Sequence, residues 1–155
     1  GSSISGGGTV LYNGSNTSFN HTSLTSNTQY YYKAWSVDGS TNYSAGITDD
    51  ATTFKDEPSN HVTNFVTGET GATSIRLTWN DNDGTVAADN FLIQINTTGT
   101  FTPPVDGTPQ TDDTDVSDGS GQVNVASGEE NYIWKKLSEN THYYFAIYPY
   151  TNAGA

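Results

Sequence analysis

The sequence predicts an all-β chain built from sandwich-type domains, and three observations support this prediction. Short runs of alternating apolar and polar residues are separated by Gly-, Asn- and Asp-rich turns, which is typical of β-strands. The 10 Tyr, 6 Phe and 3 Trp cluster in those runs, so a few large side chains supply much of the apolar area. One segment of the sequence also recurs without gaps, at a distance that suits one sandwich domain plus a linker.

The recurring segment is the strongest feature of the sequence. Residues 8–35 align with residues 121–148, so that Leu137 lies 113 positions after Leu24 and Tyr143 lies 113 positions after Tyr30. An Asn-Thr pair and a Tyr-Tyr pair stay in register with them, which a chance match of Ser-, Thr- and Asn-rich sequence does not explain. The repeat predicts two copies of one domain, both of them incomplete.

Three strands of the second copy are predicted from their period of two. They cover residues 73–79, 91–95 and 143–148, and each places its apolar side chains on one face. Trp79, at the end of the first of these runs, is expected in the core. In the first copy, the strand that starts at Tyr30 is followed by an Asp-Gly turn and a second strand.

These segments resemble the fibronectin type III family, which has an immunoglobulin-like sandwich fold. The run SIRLTW, which ends in Trp79, resembles its strand B, and FLIQI resembles its strand C. The run LSENTHY resembles the Leu-x-x-x-Thr-x-Tyr signature that leads into strand F. The resemblance implies that Tyr143 and, in the first copy, Tyr30 are tyrosine corners, whose hydroxyls bond to upstream backbone.

The resemblance predicts fibronectin type III-like β-sandwiches in tandem. Residues 1–54 are expected to supply strands C′, E, F and G of one module, and residues 55–59 a linker. Residues 60–155 are expected to supply strands A to F of the next module, without strand G. An acidic, Pro- and Gly-rich insertion between Phe101 and Gly121 is longer than the family pattern requires.

Two acidic loops are candidate calcium sites, because Ca²⁺ prefers six to eight oxygen ligands. One loop follows strand B and the other lies in the insertion. The alternative is that these residues only form turns, for which Asp, Asn and Gly are suited. The repeat match favours strand C′ at residues 122–125, which puts the two loops at opposite ends of the sandwich. The candidate ligands are Asp81, Asp83, Asp112, Asp113, Asp115 and Asp118.

A row of outward-facing aromatic side chains is the second candidate site. If Tyr143, Phe145 and Ile147 face the core, the alternate residues of that strand face outward. Such a row can stack on sugar rings or pack against a partner, and the alternative is that it only covers its own sheet. The predicted contact residues are Tyr144, Tyr148 and Tyr150, with Tyr31 and Trp35 in the first copy.

Composition and motifs narrow the function. The net charge of −12, with only 5 Lys+Arg, disfavours partnership with nucleic acid or anionic membranes. No apolar run is long enough for membrane insertion. The three His residues lack a nucleophile or carboxylate at motif spacing, so we predict a protein that is not an enzyme. It requires no cofactor, and Ca²⁺ is the one candidate ion.

We therefore expect a secreted, extracellular or cell-surface protein in which these modules act as spacers or adhesion units. The sequence style resembles modules of secreted bacterial multidomain proteins, and neighbouring modules of the same protein are the expected partners. One alternative is a carbohydrate-binding accessory module of a secreted enzyme, with polysaccharide as its partner. The other is a filament subunit in which half-domains of successive copies complete each other.

Overall fold

The computed structural model describes residues 7–81 and 84–152, and within them it contains β-strands in three sheets. The chain divides into two compact units, Gly1–Phe54 and Lys55–Ala155. The all-β prediction is confirmed. No helix in the described residues has the length and apolar character needed to cross a bilayer.

The first unit is organised by an antiparallel hairpin of β1 (Gln29–Ala34) and β2 (Ile47–Thr52). An isolated bridge between Val37 and Tyr43 continues the pairing toward the turn. The Asp38 carboxylate closes that turn by accepting hydrogen bonds from two backbone amides, each at 2.9 Å. The Asp-Gly turn predicted from the sequence therefore lies where the two strands reverse.

The structure differs from the sequence prediction before this hairpin. Strands C′ and E were expected in residues 1–54, but β1 and β2 are the only strands within residues 7–54. In the second unit, the strand at the C′ position pairs with that at C, and the strand at E pairs with that at B. The described part of the first unit offers no B or C strand, and its residues 9–12 form no strand beyond a single bridge at Thr9.

The second unit is a sandwich of two antiparallel three-stranded sheets. One sheet has the order β3-β4-β7 and the other β6-β5-β8. In the lettering used above, these are strands A-B-E and C′-C-F. The strands are β3 (Thr63–Gly71), β4 (Ser74–Asn80), β5 (Asn90–Asn96), β6 (Ser120–Ala126), β7 (Asn131–Lys135) and β8 (Tyr144–Tyr150).

The core of this unit lies between the two sheets. The predicted period of two holds: Leu77 and Trp79 of β4 face Phe91 and Ile93 of β5, and all four are buried. Trp134 of β7 is also buried in this cluster. Each such side chain stabilises the fold by about 1.5–3 kcal/mol relative to an exposed position. The three strands predicted from sequence are present as β4, β5 and β8, with their ends shifted by one or two residues.

The predicted insertion lies in the connection between β5 and β6, residues 97–119. It begins at a turn in which the Asn96 side chain accepts hydrogen bonds from the amides of Thr98 and Gly99. It then returns beside β6, where Asp113 and Gln122 exchange backbone hydrogen bonds of 2.8 and 2.7 Å. The insertion leaves from the end of β5, whereas the other acidic loop leads into its start, so the two loops lie at opposite ends of that strand.

Candidate functional site

A groove of about 230 Å³ lies over the outer face of the β6-β5-β8 sheet. Its floor includes Leu92 of β5 and Asn124 of β6, and its walls come from the end of β8, the insertion, and the segment that precedes β3. We call it the Tyr-Pro groove. Its apolar lining includes Pro58, Pro103, Pro104, Val105, Tyr148 and Tyr150.

Strand alternation places the two tyrosines in the groove. Tyr148 pairs with Leu92 and Tyr150 with Asn90 across the β5-β8 ladder. Leu92 points to the opposite face from the core residues of β5, yet it is only 2% exposed. The outer face of this sheet is therefore covered, and β5 is buried on both sides.

Asn124 of β6 fixes one end of the groove. Its Nδ2 donates to the Gln110 carbonyl oxygen at 2.9 Å and to Asp112 Oδ1 at 2.8 Å. Its Oδ1 accepts the hydrogen bond of the Tyr150 hydroxyl, at 2.9 Å. One asparagine thus ties the insertion, β6 and the ring of Tyr150 together.

Asn152, just after β8, fixes the segment that precedes β3. Its Oδ1 accepts from the Lys55 amide and its Nδ2 donates to the Lys55 carbonyl, both at 2.9 Å. The Thr151 hydroxyl donates to the Asp56 carbonyl at 3.1 Å. The residues expected to be a linker, 55–59, therefore begin with backbone that is bonded to the second unit.

Lys55 also forms an ion pair with Asp89, in the loop before β5. The hydrogen bond from Lys55 is the main reason that the pKa of Asp89 lies below its usual range, and the Asn152 amide adds to this effect. Both side chains are partly exposed to solvent, so the pair supports the segment's position more than it stabilises the fold.

The groove is electrostatically one-sided. Its acidic lining residues are Glu57 and Asp106, His61 also lines it, and the lining includes no Lys or Arg. Burial raises the pKa of Tyr148 and of Tyr150, and the negative charge of Asp112 raises that of Tyr150 further. Such a recess can hold an apolar, rigid group and can attract positive charge.

The outward aromatic residues of β8 do not all line the groove. Tyr148 and Tyr150 lie together in the groove, whereas Tyr144 is exposed outside it, beside the ring of His142 at 4.5 Å. Tyr31 and Trp35 are exposed in the first unit.

The candidate calcium ligands are not brought together. No group of three or more His, Cys, Asp or Glu side chains within residues 7–81 and 84–152 is arranged to hold a metal ion. Asp81 instead accepts hydrogen bonds from the Trp79 indole, the Ser127 hydroxyl and the Gly128 amide. Asp83 lies outside the described residues.

The carboxylates of the insertion are engaged in local hydrogen bonds. Asp113, Asp115 and Asp118 each accept from the backbone amide two residues later, and Asp112 accepts from the Asn124 amide. Hydrogen bonds from Ser117 lower the pKa of Asp115. These contacts are typical of Asx turns, and calcium binding by these loops stays a prediction.

Both tyrosines of the repeated signature bond to upstream backbone. Tyr143 is buried, and its hydroxyl accepts from the Ser138 amide at 3.0 Å. Tyr30 accepts from the Thr25 amide at 2.9 Å. These contacts have the geometry of a tyrosine corner and have a structural role.

Sequence reasoning missed most of the groove. Pro58, His61 and Pro103 were assigned no role, because they are far apart in the sequence and match no motif. The one available signal was the concentration of proline on either side of strands B and C, combined with the outward tyrosines of strand F.

No protein-family model matches this sequence, and no curated protein compared with it is detectably similar. Among solved structures, the chain is similar to the chicken CNTN1 FN1–FN3 domains. The TM-score is 0.56 at 17% sequence identity, over 85% of this chain and 40% of that one. The chain thus spans less than half the length of the structure it matches. The likeness shows the fold, which is all-β and fibronectin type III-like as the sequence predicted.

Proposed function

We propose that this chain is a non-catalytic spacer or adhesion segment of a secreted or cell-surface protein, built from fibronectin type III-like modules in tandem. The observation that carries the proposal is the repeated corner segment. The same tyrosine-to-amide hydrogen bond occurs twice, at positions 113 residues apart. A polypeptide that repeats one sandwich at a fixed interval is suited to setting the distance between other domains.

Two further observations support this function. The matched solved structure is, by its title, itself a set of consecutive fibronectin type III domains. The loop carboxylates that could have served chemistry are held by backbone amides instead. The neighbouring modules of the same protein would then be the first partners of this segment.

The sequence that flanks this chain in its parent protein tests the array. We expect the Leu-x-x-x-Thr-x-Tyr signature to recur about 113 residues away, since a sandwich domain occupies about 100 residues. Flanking sequence with no further copy of the signature would contradict the array.

Antibody labelling of intact cells that produce the protein tests the location, and labelling only after permeabilisation would contradict it.

A second candidate function is a subunit of an extracellular filament. Within the described residues, β8 pairs only with β5, so one edge of β8 is available for another strand. A strand from a second copy could add to that edge and propagate a chain of copies. Light scattering tests this function: a mass that grows with protein concentration is expected, and a constant monomer mass would contradict it.

A further inference from the structure

We propose that the Tyr-Pro groove binds a cationic, proline-rich peptide segment in the polyproline II conformation. This inference goes beyond the spacer function, because a module could set distances without binding any peptide. It rests on the shape, the hydrogen-bonding groups and the charge of the groove.

The placement of two tyrosines on one face of β8 suits such a peptide. Tyr148 and Tyr150 are two residues apart on one face of β8, which places them about 7 Å apart along the strand. A polyproline II helix repeats every three residues, or about 9 Å, and presents rigid pyrrolidine rings on each face. Proline-rich ligands characteristically dock in aromatic-lined grooves of this kind. Pro58 and Pro104 of the groove add further rigid apolar surface.

The groove also offers a hydrogen-bond donor. A polyproline II peptide makes no internal hydrogen bonds, so its carbonyl oxygens need donors from the receptor. Tyr148 is half-buried, and its hydroxyl makes no hydrogen bond in the part of the chain that the structure describes. It can donate to a peptide carbonyl without giving up a contact within the protein.

Charge favours a cationic ligand over a neutral sugar. Glu57 and Asp106 line the groove with His61 and without a Lys or Arg, and the whole chain carries a net charge of −12. Complementary charge speeds encounter and suppresses wrong partners, and it here disfavours anionic peptides and anionic glycans. A neutral polysaccharide would leave both carboxylates without a counter-charge, whereas Lys or Arg residues between prolines would supply it.

The groove is held in place before any ligand arrives. Asn124 ties the insertion to β6 and β8, and Asn152 ties the Lys55 backbone to the end of β8. A peptide that is itself stiff would meet a site that needs little ordering. Pre-organisation of both partners reduces the entropy lost on binding.

Titration of the chain with a synthetic peptide of repeating Pro-Pro-Arg, followed by NMR and calorimetry, tests the proposal. We expect saturable binding that weakens as salt is raised, with chemical-shift changes at Tyr148 and Tyr150. Tyr148→Ala should weaken binding about tenfold, as expected for a central aromatic contact. Tyr144→Ala is the matched control, because Tyr144 lies on the same face of β8 outside the groove, and it should bind like the parent protein.

Two more variants separate the contributions. Glu57→Gln combined with Asp106→Asn should weaken binding several-fold and flatten its salt dependence. Tyr148→Phe keeps the ring and removes only the hydroxyl, so it should show a smaller loss than Tyr148→Ala. It also keeps the proposal testable if the alanine variant unfolds.

Three results would overturn the proposal. They are no binding of the Pro-Pro-Arg peptide, equal binding of a Pro-Pro-Glu peptide, and equal loss of binding in the Tyr144→Ala control. A neutral oligosaccharide that binds the groove when the peptide does not would overturn it in favour of the carbohydrate-binding alternative. None of these results bears on the tandem array, which the flanking sequence tests separately.

Discussion

The two copies of the repeated segment share their local structure but differ in burial. Val10 is 38% exposed, whereas its equivalent Val123 is 5% exposed. Tyr12 is 39% exposed and its equivalent Val125 is 7% exposed. In the second unit these positions lie on β6, beside β5 and under the opposite sheet, and the described part of the first unit has no such cover. Burial is therefore a property of the partners of a segment and not of its own sequence.

The backbone shows how closely the copies agree. Ser23 and Lys136 both have φ of 60°, and Asn27 and Asn140 have φ of 49° and 53°. All four are left-handed conformations, which non-glycine residues adopt rarely. Short-range sequence signals thus set the same turns twice, with or without a surrounding core.

The largest expected difference between the copies concerns their shared leucine. Leu137→Ala should destabilise the second unit by about 2–5 kcal/mol, because Leu137 is buried in the core. Leu24→Ala should cost the first unit less than half as much, since Leu24 is only half-buried. Residue-resolved amide exchange measures each unit separately. Equal losses would mean that the first unit has a core like that of the second.

The tyrosine corners should respond more alike. Tyr143→Phe and Tyr30→Phe each remove one hydroxyl-to-amide hydrogen bond, worth about 0.5–1.5 kcal/mol. The loss should be greater for Tyr143, because that contact is partly buried and the other is exposed. Urea unfolding monitored by NMR provides the measurement. If neither variant loses stability, the corner hydrogen bonds do not stabilise the fold.

The left-handed positions should give a small gain. Lys136→Gly and Ser23→Gly relieve a backbone strain of about 1–2 kcal/mol at positive φ. Glycine also raises the conformational entropy of the unfolded chain, which offsets about 0.5–1 kcal/mol of this gain. A net stabilisation below about 1 kcal/mol is expected at both sites. Lys136→Ala is the control and should give no gain, since it keeps the Cβ. A loss at either glycine variant would show that side-chain contacts outweigh the backbone strain.

The smallest expected effect is on acid stability. Hydrogen bonds from Asn42 lower the pKa of Asp38 in the first unit, as those from Lys55 lower that of Asp89 in the second. A lowered pKa stabilises the fold above the unfolded value of about 4, and this stability is lost as pH falls through the folded value. Thermal melts at decreasing pH should therefore fall less steeply below about pH 4 in Asp38→Asn and Asp89→Asn. If the melting temperatures of both variants depend on pH as in the parent protein, the lowered pKa values of Asp38 and Asp89 are contradicted.

The sequence predicted the features that depend on neighbouring residues. The alternation of apolar and polar residues predicted β4, β5 and β8. The Leu-x-x-x-Thr-x-Tyr signature predicted that Tyr30 and Tyr143 form the two corner hydrogen bonds. Strands C′ and E were predicted in residues 1–54, but residues 7–54 contain only β1 and β2, because a period of two indicates strand propensity and not the presence of a partner strand.

The groove could not be predicted for a related reason. It depends on Asn124 and Asn152, each of which hydrogen-bonds to residues distant in sequence, including Gln110 and Lys55. Asparagine in a β-rich chain is ordinarily read as a turn residue, so these positions gave no signal. The acidic residues are ambiguous, since calcium loops and Asx turns draw on the same side chains, and calcium binding stays a prediction.

The paired hydrogen bonds between Asn152 and the Lys55 backbone have a mechanical consequence. When the polypeptide is pulled from its N-terminal side, tension reaches Lys55 first and is shared at once with the end of β8. The load then enters the sandwich at two strands instead of peeling β3 from its edge. Asn152 would act as a latch that must shear before the sheets do, and Asn152→Ala should lower the force at which this unit yields.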